Sequence, residues 1–242
     1  YEAVRVRNGG TVSGVVRWRG PRPVLPPFPV NRDPGVCDPE KRGRKASPRL
    51  IIGPRGGVAN TVVYLSGVFR GKPLPPRGLR HARKWIIRRC EYRPHVLVAP
   101  VGSYLAMRND DPLIHNIRMF GAATYNLPMP ERGTLFVKRL PRAGVIALRC
   151  DAGHGWMSGV IHVVAHPYYA VTDAEGRFSL TDVPPGDYVL KAWHEGWTVR
   201  GVIQKDGKPT FYSFEAPVEL SKKVTVSAGG EVKVGFSLST GE

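Results

Sequence analysis

The 242-residue sequence predicts an all-β protein made of two sandwiches. Three observations support this. Glycine and proline are plentiful, at 28 and 23 residues. Short β-branched runs lie between them, and no segment sustains the period of a helix of any length. The length suffices for one large core or two modest ones. No run approaches the roughly 18 apolar residues that a spanning helix needs. The chain opens "YEAVRVRNGG", without Met and without a charged-then-apolar leader, so a targeting segment is expected to have been removed or to lie upstream.

Taken in order, "GTVSGVVRWRG" (10–20) places Val12, Val16 and Trp18 on one face, a strand signature. "PRPVLPPFPVNRDPGV" (21–36) has too many prolines for a central strand or a helix and reads as an extended surface connection. "RLIIGPRGGVANTVVYLSGV" predicts short strands near 49–52 and 61–66, and "GKPLPPRGLRHARK" is a basic linker. A denser β region follows. It runs from "KWIIRRCEYRPHVLVAPVGSYLAMRNDD" through "LIHNIRMF", an irregular stretch, "TLFVKRL" and "RAGVIALRC" to "SGVIHVVAH". The last part, "YAVTDAEGRFSLTDVPPGDYVLKAWHE" and "FYSFEAPVELSKKVTVSAGGEVKVGFSLS", alternates between turn signals as a small sandwich does.

The net charge of +17 is unevenly spread. Residues 1–100 hold 21 Lys/Arg against 5 Asp/Glu, and residues 101–242 hold 15 against 14. A basic face of this kind suits an acidic protein partner or an anionic surface. No helix-turn-helix, zinc-finger or RNA-recognition pattern accompanies it, so nucleic acid is not the expected partner. The three cysteines leave one over. In an extracytoplasmic chain Cys37 and Cys90 would pair and Cys150 would stay free; in a reducing compartment all three would be unpaired.

The segment "LRCDAGHGWMSG" (148–159) crowds Cys150, His154 and Met157 together. A thiolate, an imidazole and a thioether suit copper, and the trigonal His₂Cys sites with a distant axial Met transfer electrons. A short loop cannot surround an ion alone. His115, in "NDDPLIHNIRMF" about one hairpin upstream, supplies the second imidazole. A lone Met or His is ordinarily a core or solvated residue; the joint spacing sets these four apart. His95, His162, His166 and His194 lack such a context.

The arrangement resembles the cupredoxins, the blue-copper Greek-key β-sandwich proteins. In that family one histidine follows an early strand and the other three ligands sit on a loop between the last two. The resemblance implies one type 1-like copper held by His115, Cys150, His154 and Met157, with Asn116 hydrogen-bonding the cysteine loop. The spacing Cys-x3-His-x2-Met is also similar to the second half of the binuclear copper loop of cytochrome c oxidase. There a second cysteine lies four residues earlier; here that position is Ile146, which argues for one copper. The stretch after the loop resembles carboxypeptidase-regulatory-like, transthyretin-type sandwiches without peptidase activity. Their opening strands match "GTVSGVVRWRG" and "ANTVVYLSG", which precede the copper region. The expected organisation is therefore a sandwich split between 1–80 and 167–242, with a cupredoxin unit at 84–166 inserted into it. A simple tandem is the alternative.

The function implied is one-electron transfer, not enzymatic catalysis. No G-x-S-x-G elbow is present, and the remaining histidines do not assemble the further site a copper enzyme needs. Gly153 and Gly155 are expected to leave the His154 edge open for electron exchange, with Trp156 as an apolar docking surface and the basic part steering an acidic or cytochrome-like redox partner. The alternative is a structural or interaction subunit of a membrane-associated assembly. Either way the location expected is periplasmic or extracytoplasmic.

Overall fold

We describe a computed structural model of the chain, residues 1–240. It is all-β, with two sandwiches. The first packs a four-stranded sheet, in the order Leu135–Arg139, Tyr104–Asn109, Arg83–Ile87 and Tyr92–Arg93, against a five-stranded one. The latter runs Tyr125–Met129, His115–Gly121, Gly144–Arg149, Ser158–Val164 and Val96–Pro100. Met107, Met119, Ile117, Ile146 and Ile161 fill the space between them.

The second sandwich takes strands from both ends of the chain. Gly10–Trp18 pairs in parallel with Glu231–Leu238 (Val12↔Val232) and antiparallel with Arg177–Val183. Facing them, Val62–Ser66 lies between Tyr169–Val171 and Gly186–His194, and the latter also pairs with Val218–Val226. Alternation drives this: Val12, Val16 and Trp18 point into the core of the second sandwich while Arg17 faces out. Ser158–Val164 is different, a nearly continuous buried run. It reads "SGVIHVV" because its sheet is covered on both faces. One face meets the first core. The other meets Val62 and Trp193 of the second sandwich through Val160 and Val164.

One expectation changes and one is refined. The 49–52 segment forms only an isolated bridge, Ile52↔Val58. The proline-rich 21–36 stretch is largely exposed and extended, as expected of a surface connection, but it carries more local order than that. Phe28–Pro29 pairs with Arg44–Lys45, a single helical turn occupies Pro34–Cys37, and Phe28 and Cys37 are buried. Proline keeps a segment out of sheet ladders but does not keep its apolar side chains in water. This N-terminal arm lies across one end of the first sandwich. It meets the hairpin Val199–Lys205/Lys208–Phe214, whose Tyr212 and Phe214 rings lie against Phe28.

Candidate metal centre

The register of three strands builds the site. Gly144–Arg149 ends one residue before Cys150 and pairs with Ser158–Val164 (Arg149↔Ser158), so residues 150–157 form a hairpin loop. His115–Gly121 pairs with the same strand at Arg118↔Arg149, which carries His115 and Asn116 to the loop's base. The Met157 N–H donates to the His154 carbonyl at 2.9 Å and closes the loop.

Cys150 Sγ lies 4.0 Å from His115 Nδ1 and 3.8 Å from His154 Nδ1, and the three donor atoms fall within 4.8 Å of one another. A thiolate bond of about 2.3 Å and an imidazole bond of about 2.0–2.1 Å, set about 120° apart, separate their donors by about 3.8 Å. Both sulfur–nitrogen distances fit one ion held by a His₂Cys donor set. Met157 is buried in the same core as Cys150.

Each imidazole is held from behind. A carboxylate only accepts, so the nitrogens facing Asp111 and Asp33 carry the hydrogen and leave Nδ1 free as a donor toward a metal. His115 Nε2–H donates to Asp111 Oδ2 at 3.0 Å, and His154 Nε2–H donates to Asp33 Oδ2 at 2.9 Å. Asp111 also accepts the backbone N–H groups of Arg89 (2.6 Å) and Cys90 (2.8 Å). These two residues have φ of 53° and 56°, a left-handed pair rare outside glycine, and the shared carboxylate compensates for it. Burial alone would raise the Asp111 pKa; the bonds from His115, Cys90 and Arg89 outweigh it and hold the carboxyl below its usual range. Burial, then the neighbouring His115, pushes His154 down to about 4, against the pull of Asp33. Burial likewise pushes the Cys150 thiol up, opposed by the N–H groups of Ala152, Asn116 and His154.

Cys37 and Cys90 form a disulfide with Cα atoms 5.0 Å apart, and Cys150 is free. The disulfide is not remote from the site. The Cys37 and Cys90 sulfurs cluster with a ring nitrogen of His154, and Cys90 also clusters with Asp111 and His115.

Three expectations are corrected here. The Asn116 side chain does not reach the cysteine loop. Its amide donates to Asn126 at 2.7 Å, and its contribution is the backbone N–H, 3.4 Å from Cys150 Sγ. The His154 edge is not open; the ring is 0% exposed. A Cβ on Gly153, whose φ is +89°, would sit 2.8 Å from the Arg32 guanidinium, and one on Gly155 2.6 Å from the Thr210 backbone. The flanking glycines make room for covering chain, not for solvent. Trp156 is no docking surface either: it is buried, edge-on to His154, and donates Nε1–H to the Cys90 carbonyl at 3.1 Å.

Sequence reasoning missed the carboxylates. Asp111 had a signal, lying four residues before His115 in "NDDPLIH"; Asp33, 121 residues from His154, had none. It also missed a buried network beside the loop. His95 Nδ1 faces the Ser158 carbonyl at 3.1 Å and its Nε2 pairs with Glu195, which pairs in turn with Arg49 at 2.7 Å. This ties the end of the metal loop to the second sandwich. His194 is buried edge-on to Trp197, with Nδ1 on the Glu195 carbonyl at 2.8 Å.

A family model described as polysaccharide lyase family 4, domain II matches residues 151–234. No curated protein matches the sequence. Among solved structures, the chain is similar to a novel purple cupredoxin from Nitrosopumilus maritimus at 25% identity, covering 34% of this chain and 99% of that one, with a TM-score of 0.30. It is similar to a reduced amicyanin variant at 22% identity, covering 35% and 83%, with a TM-score of 0.31. A Cu-containing nitrite reductase from Thermus scotoductus matches at 20% identity and a TM-score of 0.34, over 40% of this chain and only 24% of the reductase.

Proposed function

We propose that the chain is an extracytoplasmic copper protein that passes single electrons. His115 and His154 would bind through Nδ1 and Cys150 through its thiolate, with the Met157 thioether as a weak fourth donor. When bound, copper supplies a one-electron couple tuned by that fourth donor. The observation that carries this reading is the Cys150 sulfur at ligand spacing from both Nδ1 atoms, each imidazole already fixed by a carboxylate. The chain's own part is rigidity. Asp111 and Asp33 fix the rings, the N–H groups of Ala152, Asn116 and His154 point at the sulfur, and the arm excludes water.

A carrier is favoured over an enzyme, because catalytic metal sites keep an open position and here all three donors are buried. Residues 84–166 are read as a cupredoxin unit inserted into a carboxypeptidase-regulatory-like sandwich split between 1–80 and 167–242. Pairings such as Val12↔Val232 and Val63↔Ala170, which bridge that unit in sequence, support this. The disulfide supports an oxidising compartment. Among the described residues no helix is long and apolar enough to cross a membrane.

Reconstitution with Cu(II) tests the reading. The expected result is one copper per chain, an intense thiolate-to-copper visible band and a narrow EPR hyperfine pattern. Stoichiometric copper without the band would overturn it. A second reading, a structural subunit whose copper is dispensable, draws on the covered His154 edge. It requires that partner binding survive metal removal.

A further inference from the structure

With the His154 edge covered, the question of docking moves to the other histidine. His115 bonds to Asp111, and Asp111 accepts the N–H of Arg89, an exposed residue. Two hydrogen bonds, of 3.0 Å and 2.6 Å, thus join a ligating ring to the surface. Over this link opens a cleft of ≈ 750 Å³ lined by Arg88, Arg89, Arg108 and Arg132, with Asp110 and Asp111 at its base. The helical turn of the arm, at Gly35 and Val36, forms its far side.

The charges in the cleft are unequal in what they leave available. Arg108 pairs with Asp110 at 2.6 Å and Arg89 with Glu40 at 2.8 Å. Arg132 Nε–H donates to the Asp110 carbonyl at 3.0 Å. Among the described residues neither Arg88 nor Arg132 pairs with a carboxylate. Asp111 is buried and its oxygens are taken by His115, Arg89 and Cys90. The cleft that Asp111 lines therefore presents two guanidinium groups without a carboxylate partner. Guanidinium forks match carboxylates in geometry as well as charge.

We propose that this cleft docks an acidic redox protein, whose carboxylates engage Arg88 and Arg132 and whose electron crosses by Asp111 and His115. This rests on the electron-transfer reading of the site. With copper bound, one electron would pass from the partner's reduced centre, which is oxidised, to the Cu(II) ion, which is reduced; no bond is made or broken and no proton moves.

Two measurements separate the docking site from the copper chemistry. In the metal-free protein, the redox-inert paramagnetic trianion hexacyanochromate(III) is expected to broaden the amide signals of Arg88, Arg89, Arg132 and Gly133. R88E/R132E is expected to abolish that broadening. Broadening centred elsewhere overturns the cleft whether or not copper binds. In the copper-loaded protein, reduction of the oxidised form by hexacyanoferrate(II) should slow about tenfold in R88E/R132E, within the range that electrostatic steering covers. The control K222E/K223E makes the same change in net charge on exposed lysines of strand Val218–Val226. Equal slowing in both variants would show that net charge alone acts and would overturn the site. A wild-type protein that takes up no copper, or exchanges no electron, defeats the electron-transfer reading instead, and the anion map still judges the cleft.

Discussion

The two imidazoles of the site look alike and are built in opposite ways. Both are fully buried, and both turn Nδ1 to Cys150 and Nε2 to a carboxylate. His115 leans on Asp111, four residues away in the same sandwich, buried and gripped by two backbone N–H groups. His154 leans on Asp33, 121 residues away on the arm, with a side chain 35% exposed and drawn also toward Arg32. A contact between distant residues must offset more chain entropy than a local one. One half of the site therefore forms with the sandwich, and the other is applied to it by a strap.

The largest effect should be common to both halves. Cys150→Ser removes the donor they share, and the visible copper band should vanish while the far-ultraviolet β signature remains. Next comes the strap. Cys37→Ser/Cys90→Ser opens a loop of 53 residues, and denaturant unfolding should show a loss on the order of 4 kcal/mol. The same variant should take up copper faster than wild type in stopped flow; an unchanged uptake rate would mean the arm does not guard His154.

A pH titration then separates the site from the seam between the sandwiches. His162 lies between the Tyr64 and Trp193 rings, and burial pushes it down to about 4 from 6.5. Its folded-state pKa is depressed, so the unfolded chain takes up its proton first. Stability of the metal-free protein should fall as pH drops from about 6.5 towards 4, by up to about 3 kcal/mol from this group, and His162→Asn should flatten that slope. A slope unchanged in the variant would place the acid lability elsewhere.

The direct contrast is smaller. Asp111→Asn should cost about 2 kcal/mol of stability through the weakened bonds to Arg89 and Cys90, and about 10- to 100-fold in copper affinity. Asp33→Asn should leave unfolding nearly unchanged and weaken copper by no more than about tenfold. Equal losses would erase the asymmetry. Smallest of all, Asn116→Ala should shift the copper spectrum little, since the backbone, not the side chain, faces the sulfur.

Legibility in the sequence follows the same divide. The all-β class showed in local alternation, as at Val12, Val16 and Trp18. The meeting of Cys150 and His154 was readable because a short hairpin loop fixes it, and Asp111 lay within reach of a four-residue count. Asp33 was not readable, since no local pattern announces a partner 121 residues away. The exposed, extended course of residues 21–36 was readable from proline density, but the burial of Phe28 against the hairpin was not, because proline density reports only exclusion from ladders. The glycines beside His154 were misread for a related reason: a missing side chain admits protein as readily as solvent.

Cys90 joins the two halves. Its N–H holds Asp111, and its sulfur holds the arm that carries Asp33. If the chain matures in an oxidising compartment, metal entry and thiol pairing would therefore be coupled in order. Copper would enter quickly while the cysteines are still reduced, and more slowly once the arm is tethered.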